Sequence, residues 1–307
     1  MSYLNLTLIF EGSNLNYGEG IGNILSLKKI SSKGKNFSYI SRQALRYDIV
    51  RMMNELYQIP YTEVNKAKGV VQFIDSAKIS DYPEIDFFGY MKTSKKEEGN
   101  SAIRKAVVRL SDAVSLEAFN NEMEFATNKG LADRIPNNNG NDIFQSEIHK
   151  SFYSYTVTVE LDKIGIDGDI KISQDEKSKR IKMLLEILKI LYRDIRGKRE
   201  NLSPVFVIGG IYEVGNPFFY NRIQLTFTKD KILLNKDILT DILNITVKEK
   251  KIADQTKIGF LKGIFSNLEE IGIKENEEIK DIKKLSINDF FTELEKEVKL
   301  YYKNQKG

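Results

Sequence analysis

The chain has 307 residues, 41% of them hydrophobic and 29% charged, with a formal net charge of +4. That composition suits a globular protein with one large domain and insertions, or two smaller domains. No cysteine and a single histidine, His149, exclude disulfides, thiol catalysis and cysteine- or histidine-rich metal sites. No apolar run approaches a membrane span, so a cytoplasmic location without a membrane partner is expected.

Residues 4–10 alternate, with Leu4, Leu6, Leu8 and Phe10 on one side and Asn5, Thr7 and Ile9 on the other, which predicts a half-buried strand. The loop EGSNLNYGEGIGN (11–23) follows; its glycines are not a dinucleotide fingerprint, because no helix comes directly after them. Ser41 is placed to cap a helix over 41–57, closed by Pro60, with Leu45, Ile49, Met52, Met53 and Leu56 as its apolar stripe. Residues 60–150 read as an irregular insertion with short strands around 69–75, 86–91 and 104–110.

SFYSYTVTVEL (151–161) predicts a strand carrying Tyr153, Tyr155, Val157, Val159 and Leu161 on one face. An amphipathic helix is expected over 176–196, and PVFVIGGIY (204–212) has the two apolar faces of a central strand. A further strand is expected over 222–228, then a mostly helical remainder ending in an amphipathic segment over 287–302. The order is βαββαβ, an α+β class of ferredoxin-like or RRM-like domain with a large insertion after the first helix.

The charge is unevenly spread. Between residues 28 and 51 seven basic side chains stand against Asp48 alone, which suggests a surface for a polyanion. Helix N-termini attract anions. Arg42 and Arg46 lie at the start of the capped helix, with Lys28, Lys29, Lys33 and Lys35 in the approach, so together they read as a phosphate track. The competing reading is that Arg42 and Arg46 clamp internal carboxylates. Arg51, on the opposite side of the wheel, is expected at the surface beside Asp48 or Glu55.

A second feature is IGGIYEVGNPFFYNR (208–222), expected to join two strands. Gly209 and Gly210 permit close backbone approach to a ligand, and Tyr212, Phe218 and Phe219 could stack on bases. The alternative is a hairpin whose aromatics enter the core. No catalytic set stands out, so no enzyme, cofactor or metal is expected; Asp81, Glu84 and Asp86 are close in sequence, as solvated carboxylates commonly are.

With EGSNLNYGEGIGNILSLKKI, YISRQALRYDIVR, DFFGYM, KSFYSYTVTVEL and GGIYEVGNPFFYNRIQL in this order, the chain resembles CRISPR-associated backbone proteins of the Cas-seven family, specifically the type I-B DevR or autoregulator branch. The resemblance runs from about residue 3 to 228, and SRQALRYDIVR is its most specific element. It implies an RRM-like palm (1–59 and 150–228), a finger insertion (60–149), a thumb hairpin near 212–222 and a helical C-terminal extension (229–307). It also implies that copies polymerise as a filament along a CRISPR RNA, forming the spine of a Cascade complex with other Cascade subunits. Target DNA is then reached through the guide. Carried onto this sequence, Ser41, Arg42, Gln43 and Arg46 become phosphate-side contacts of a scaffold without catalytic activity. The rival readings are a metal-dependent endoribonuclease using Asp81, Asp86 or Asp112, and a transcriptional autoregulator.

Overall fold

The computed structural model describes residues 1–20, 22–67, 69–93, 101–136, 140, 142–274, 277–278 and 282–305. Most of the expected loop KTSKKEEGNS, and part of the one around 137–141, lie outside the described residues. In the first half of the chain the principal elements are β1 (Tyr3–Ser13), β2 (Lys29–Ser32), β3 (Lys35–Ile40), α1 (Arg42–Tyr57), α2 (Pro83–Phe88), β4 (Val108–Leu110), β5 (Ala113–Ser115), β6 (Glu122–Thr127) and β7 (Ile143–Ile148). Then come β8 (Lys150–Glu160), α3 (Gln174–Lys189), β9 (Tyr192–Ile195), β10 (Lys198–Asn201), β11 (Phe206–Tyr212), α4 (Lys236–Leu243), β12 (Lys257–Phe260), β13 (Lys283–Ser286) and α5 (Ile287–Asn304).

The main sheet runs β13-β12-β11-β1-β8-β5-β3-β2, with β4 also pairing β8. All neighbours are antiparallel except β12 and β13. Register follows the hydrophobic alternation. Leu4, Leu6, Leu8 and Phe10 sit opposite Val159, Val157, Tyr155 and Tyr153, and the Phe10 and Tyr153 rings stack at 5.6 Å. This face packs on Leu45, Ile49 and Met52 of α1, Ile181, Leu184 and Leu188 of α3, and Phe290, Phe291 and Leu294 of α5. The other face is also covered: Ile9, Phe152, Phe206 and Ile208 meet Leu239 and Leu243 of α4. β1 is therefore buried on both faces, where the sequence predicted one. α4 and its surrounding loops, which follow β11 in the chain and lie far downstream of β1, supply the second cover.

Several expected boundaries move for local reasons. α3 stops at Lys189, and the segment expected to form its last turns is the start of the β9–β10 hairpin. Its turn places Arg196 and Gly197 at φ 49° and 75°, which a right-handed helix cannot accommodate. The strand expected over 86–91 is instead α2 followed by a strand Tyr90–Thr93, because Pro83 at the first helical turn starts a helix. Leu56, placed in the apolar stripe of α1, is exposed. The insertion expected over 60–149 is not separate from the main sheet, since β4 and β5 pair with β8. The segment 229–307 is mixed rather than helical: β12 and β13 extend the main sheet.

The predicted strand over 222–228 shortens to Leu225–Phe227 and pairs with Ile232–Leu234, not with β11, so no hairpin spans 212–222. The glycines at its head serve the sheet itself. A Cβ at Gly209 would come 2.0 Å from the Asn5 carbonyl oxygen, and one at Gly210 would come 1.9 Å from that of Gln255. Those approaches are to the protein's own backbone, not to a ligand. Gly210→Ala is expected to cost about 3 kcal/mol or more of folding stability; urea unfolding within about 1 kcal/mol of wild type would contradict this packing.

Candidate nucleic-acid interface

α1 begins as its sequence predicts. Ser41 Oγ accepts from the Ala44 amide at 3.4 Å, and Asn16 Nδ2 donates to the same hydroxyl at 3.4 Å. The helix mouth is not vacant, however: the Arg42 amide donates to Asp112 Oδ1 at 2.7 Å. A carboxylate already complements the positive end of the helix dipole.

The basic residues divide into two groups. Arg46 is held by Glu84 at 3.1 Å and lies over the Phe88 ring at 4.9 Å, joining α1 to α2. Lys29 binds Glu147 and covers the Phe119 ring at 4.5 Å, while Glu147 Oε2 accepts from the Leu27 amide. These two cations are spent on the fold. Lys28, Lys33, Lys35 and Arg42 have no ion-pair partner among the described residues, and Lys33, Lys35, Arg42 and Gln43 are exposed. Arg51, expected at the surface, is buried against Asp48, Glu55 and the Tyr192 ring.

The pleat of the β2–β3 hairpin decides which side chains share a face. Ser38 and Ile40 are buried, so the alternate residues Lys35, Phe37 and Tyr39 lie on the outer face. Ile30 is opposite Phe37, and the Tyr39 amide donates to the Lys28 carbonyl, which puts Lys28 on that outer face as well. Lys33 is at the hairpin turn and Arg42 at the far end, a path of about 20 Å along β3. The result is a half-exposed row of two aromatics flanked by cations. Phe37 and Tyr39 were not singled out in the sequence; the alternation KNFSYI was the signal that could have found them.

Behind this face lies the one histidine. Ser38 Oγ sits 2.7 Å from His149 Nδ1 and 2.8 Å from the Tyr153 hydroxyl, and the His149 amide donates to Asn14 Oδ1 at 2.8 Å. Burial pushes the imidazole below its usual range, against the opposing pull of Glu117 and Glu122. His149 Nδ1 and the Ser38 and Tyr153 hydroxyls thus form one buried hydrogen-bonded group, and the Tyr153 hydroxyl also donates to the His149 carbonyl at 3.4 Å. Since the unfolded chain takes up this proton first, stability is expected to fall as pH drops from about 6.5. His149→Asn keeps an acceptor near Nδ1 and removes the titration. Denaturant midpoints of the two proteins, compared from pH 7 down to pH 5, should diverge; parallel profiles would remove His149 from the account.

This face belongs to a matched segment. Residues 4–233 match the family model of the CRISPR-associated negative auto-regulator DevR/Csa2. The chain belongs to the DevR/Csa2 family. A Cas7/Cst2/DevR protein of Myxococcus xanthus (strain DK1622) is 28% identical over 159 residues, covering 47% of this chain and 52% of that protein. The chain thus spans about half the length of this curated relative. Two solved chains share the fold: one from a CRISPR RNA-guided surveillance complex in a pre-nicking state (TM-score 0.58, 10% identity, 95% of this chain and 100% of that one) and one from a CRISPR RNA-guided surveillance complex (0.57, 12%, 95% and 99%). At these identities the likeness is one of mixed α/β fold.

The DevR/Csa2 match ends just before α4, so β1, α1, β8, α3 and β11 all fall within it. The aromatic segment within that match turns inward. Tyr212 is buried with its hydroxyl 2.8 Å from Thr256 Oγ1, Phe219 is buried in the α4-side core, and Phe218 packs edge-on against Tyr212 at 5.5 Å. Burial removes Tyr212 and Phe219 from base stacking; Phe218 is half-buried behind them. The carboxylates assigned to a nuclease are engaged as well. Asp86 is fully buried between Arg104 and Arg180, Asp112 caps α1, and Asp81 accepts from Ser80. Among the described residues no group of three or more His, Asp or Glu side chains could hold a metal, and no helix is long and apolar enough to cross a membrane.

Proposed function

We propose that this protein is a non-catalytic backbone subunit that binds CRISPR RNA in a type I-B Cascade complex. Copies polymerise along the RNA and present its spacer for pairing with target DNA, alongside the other Cascade subunits. The observation that carries this reading is the outer face of the β2–β3 hairpin. There Lys28, Lys35, Phe37 and Tyr39 lead from Lys33 into Ser41, Arg42 and Gln43. Cations along an extended track bind phosphates without reading sequence, and exposed aromatic faces accept bases of any identity. A guide carrier needs both properties, since base pairing supplies its specificity.

The strand order β11-β1-β8-β4/β5, with α1 and α3 on one face, supports an RRM-like palm. Residues 60–149 then act as fingers, except for β4 and β5. Family membership and the likeness in fold to chains of CRISPR RNA-guided surveillance complexes support the same reading.

The test is co-expression with a CRISPR array and the other complex subunits, followed by sizing with absorbance at 260 and 280 nm. A large, nucleic-acid-rich species that collapses after RNase treatment is the expected result. A small, RNA-free protein under those conditions overturns the proposal.

A further inference from the structure

The β2–β3 hairpin is backed by polar contacts rather than by an apolar layer. Lys29 stands opposite Ser38, so its side chain points inward with Ser38 while Lys28 and Ile30 point outward. There Lys29 Nζ meets Glu147 Oε1 at 2.5 Å and lies 4.5 Å from the Phe119 ring centre. The other Glu147 oxygen accepts from the Leu27 amide at 2.7 Å. Phe119 donates its own amide to the Asn36 carbonyl at 2.8 Å, between Lys35 and Phe37, and its ring stands edge-on to His149.

β7 clips the chain that enters the hairpin at several points. Ile24 and Leu25 pair with Gln145 and Ser146, and the Gln145 amide donates to the Asn23 carbonyl at 2.9 Å. Those are backbone bonds that any side chains would permit. The next two ties, to the Leu27 amide and the Lys29 ammonium, both depend on the one carboxylate of Glu147. A part-buried ion pair adds little net stability once desolvation is counted, but its directional contacts can fix register. Only 10% of the Glu147 side chain is exposed, so the carboxylate itself is shielded from a strand on the outer face.

Resting on the RNA-binding reading, we infer that Glu147 and Lys29 are positioning residues for the hairpin's outer face and touch no RNA themselves. Together they hold β2 against Phe119 and β7. Lys28, Lys35, Phe37 and Tyr39 then meet the strand already arranged, which spares the cost of ordering them on binding. Lys29 belongs to the basic run of the sequence, yet it serves the phosphates only through this pair.

The opposite charges of the two residues supply the test. Acting on RNA through charge alone, Lys29→Met weakens binding and Glu147→Gln strengthens it. Positioning predicts that both weaken it, roughly 3- to 10-fold, as ordering of the loosened hairpin is charged against binding. The log–log salt slope should stay at the wild-type value, because no phosphate contact is removed. Fluorescence anisotropy of the full chain with a labelled single-stranded RNA, over a salt series, reads both quantities. In RNA-free protein, hydrogen exchange over residues 27–39 should quicken in each variant while β8 and β11 keep their protection. The double variant Lys29→Met/Glu147→Gln leaves neither charge unpaired, so it stays folded if a single variant does not, and it should bind no more weakly than the singles. Glu147→Gln or the double variant binding as tightly as wild type, or a slope flattened by about 0.7 in Lys29→Met, overturns the positioning role and leaves RNA binding intact. Wild-type protein that binds no RNA overturns both.

Discussion

Asp86→Ala should lower the stability of the folded chain by about 3–5 kcal/mol, the usual consequence of stripping the partner from buried charges. Asp86 Oδ1 accepts from Arg104 Nη2 at 2.7 Å and Oδ2 from Arg180 Nη1 at 2.8 Å, and the Gly165 amide donates to the carboxylate at 2.9 and 3.1 Å. One side chain thus ties α2 to the strand Ser101–Arg104, to the loop after β8 and to α3. Removing it leaves two guanidinium groups in the interior. Arg180 still reaches the carbonyls of Ile79 and Ser80 and the Glu176 carboxylate, and Arg104 the carbonyls of Lys163 and Ile166 and, at 3.8 Å, Asp167, but the fully buried anion that joined the two is gone. Asp86→Asn keeps the shape while turning an amide N–H toward one arginine, so it should recover only part of the loss. Urea unfolding followed by circular dichroism measures both. If each variant unfolds within about 1 kcal/mol of wild type, Asp86 is not the tie described here.

Reversing Lys33, Lys35 and Arg42 to glutamate should weaken RNA binding roughly 10- to 100-fold near physiological salt. Each lost phosphate contact should also flatten the log–log salt dependence by about 0.7. None of the three pairs with a carboxylate among the described residues, so the variant should unfold like wild type. Arg46→Ala is the instructive contrast. Its guanidinium belongs to Glu84 and Phe88, so its removal should loosen α1 against α2 and leave the salt slope unchanged. Fluorescence anisotropy with a labelled single strand, repeated over a salt series, separates the two. Equal affinities for wild type and the triple variant would withdraw the hairpin face, and a flattened slope in Arg46→Ala would return Arg46 to it.

Local patterns in the sequence determined the elements that depend on nearest neighbours. Ser41 caps α1 because its hydroxyl meets an amide three residues on, and the alternations at 4–10 and 151–161 set the β1–β8 register because a pleat has period two. The family was legible too, in SRQALRYDIVR and the segments around it. What distant chain segments supply was not. Glu84 takes Arg46, Asp112 takes the α1 mouth, Arg104 and Arg180 take Asp86, and α4 covers the second face of β1. Each partner lies tens to hundreds of residues away in sequence, so charge patterning could say that a cation stood near a helix start but not whether an internal carboxylate reached it first. The aromatics after β11 turned inward for the same reason: Thr256 and the α4-side core lie beneath them. The basic, aromatic outer face of the β2–β3 hairpin emerged only when the fold buried Ser38 and Ile40, because burial of one side of a pleat decides which residues the other side offers to solvent.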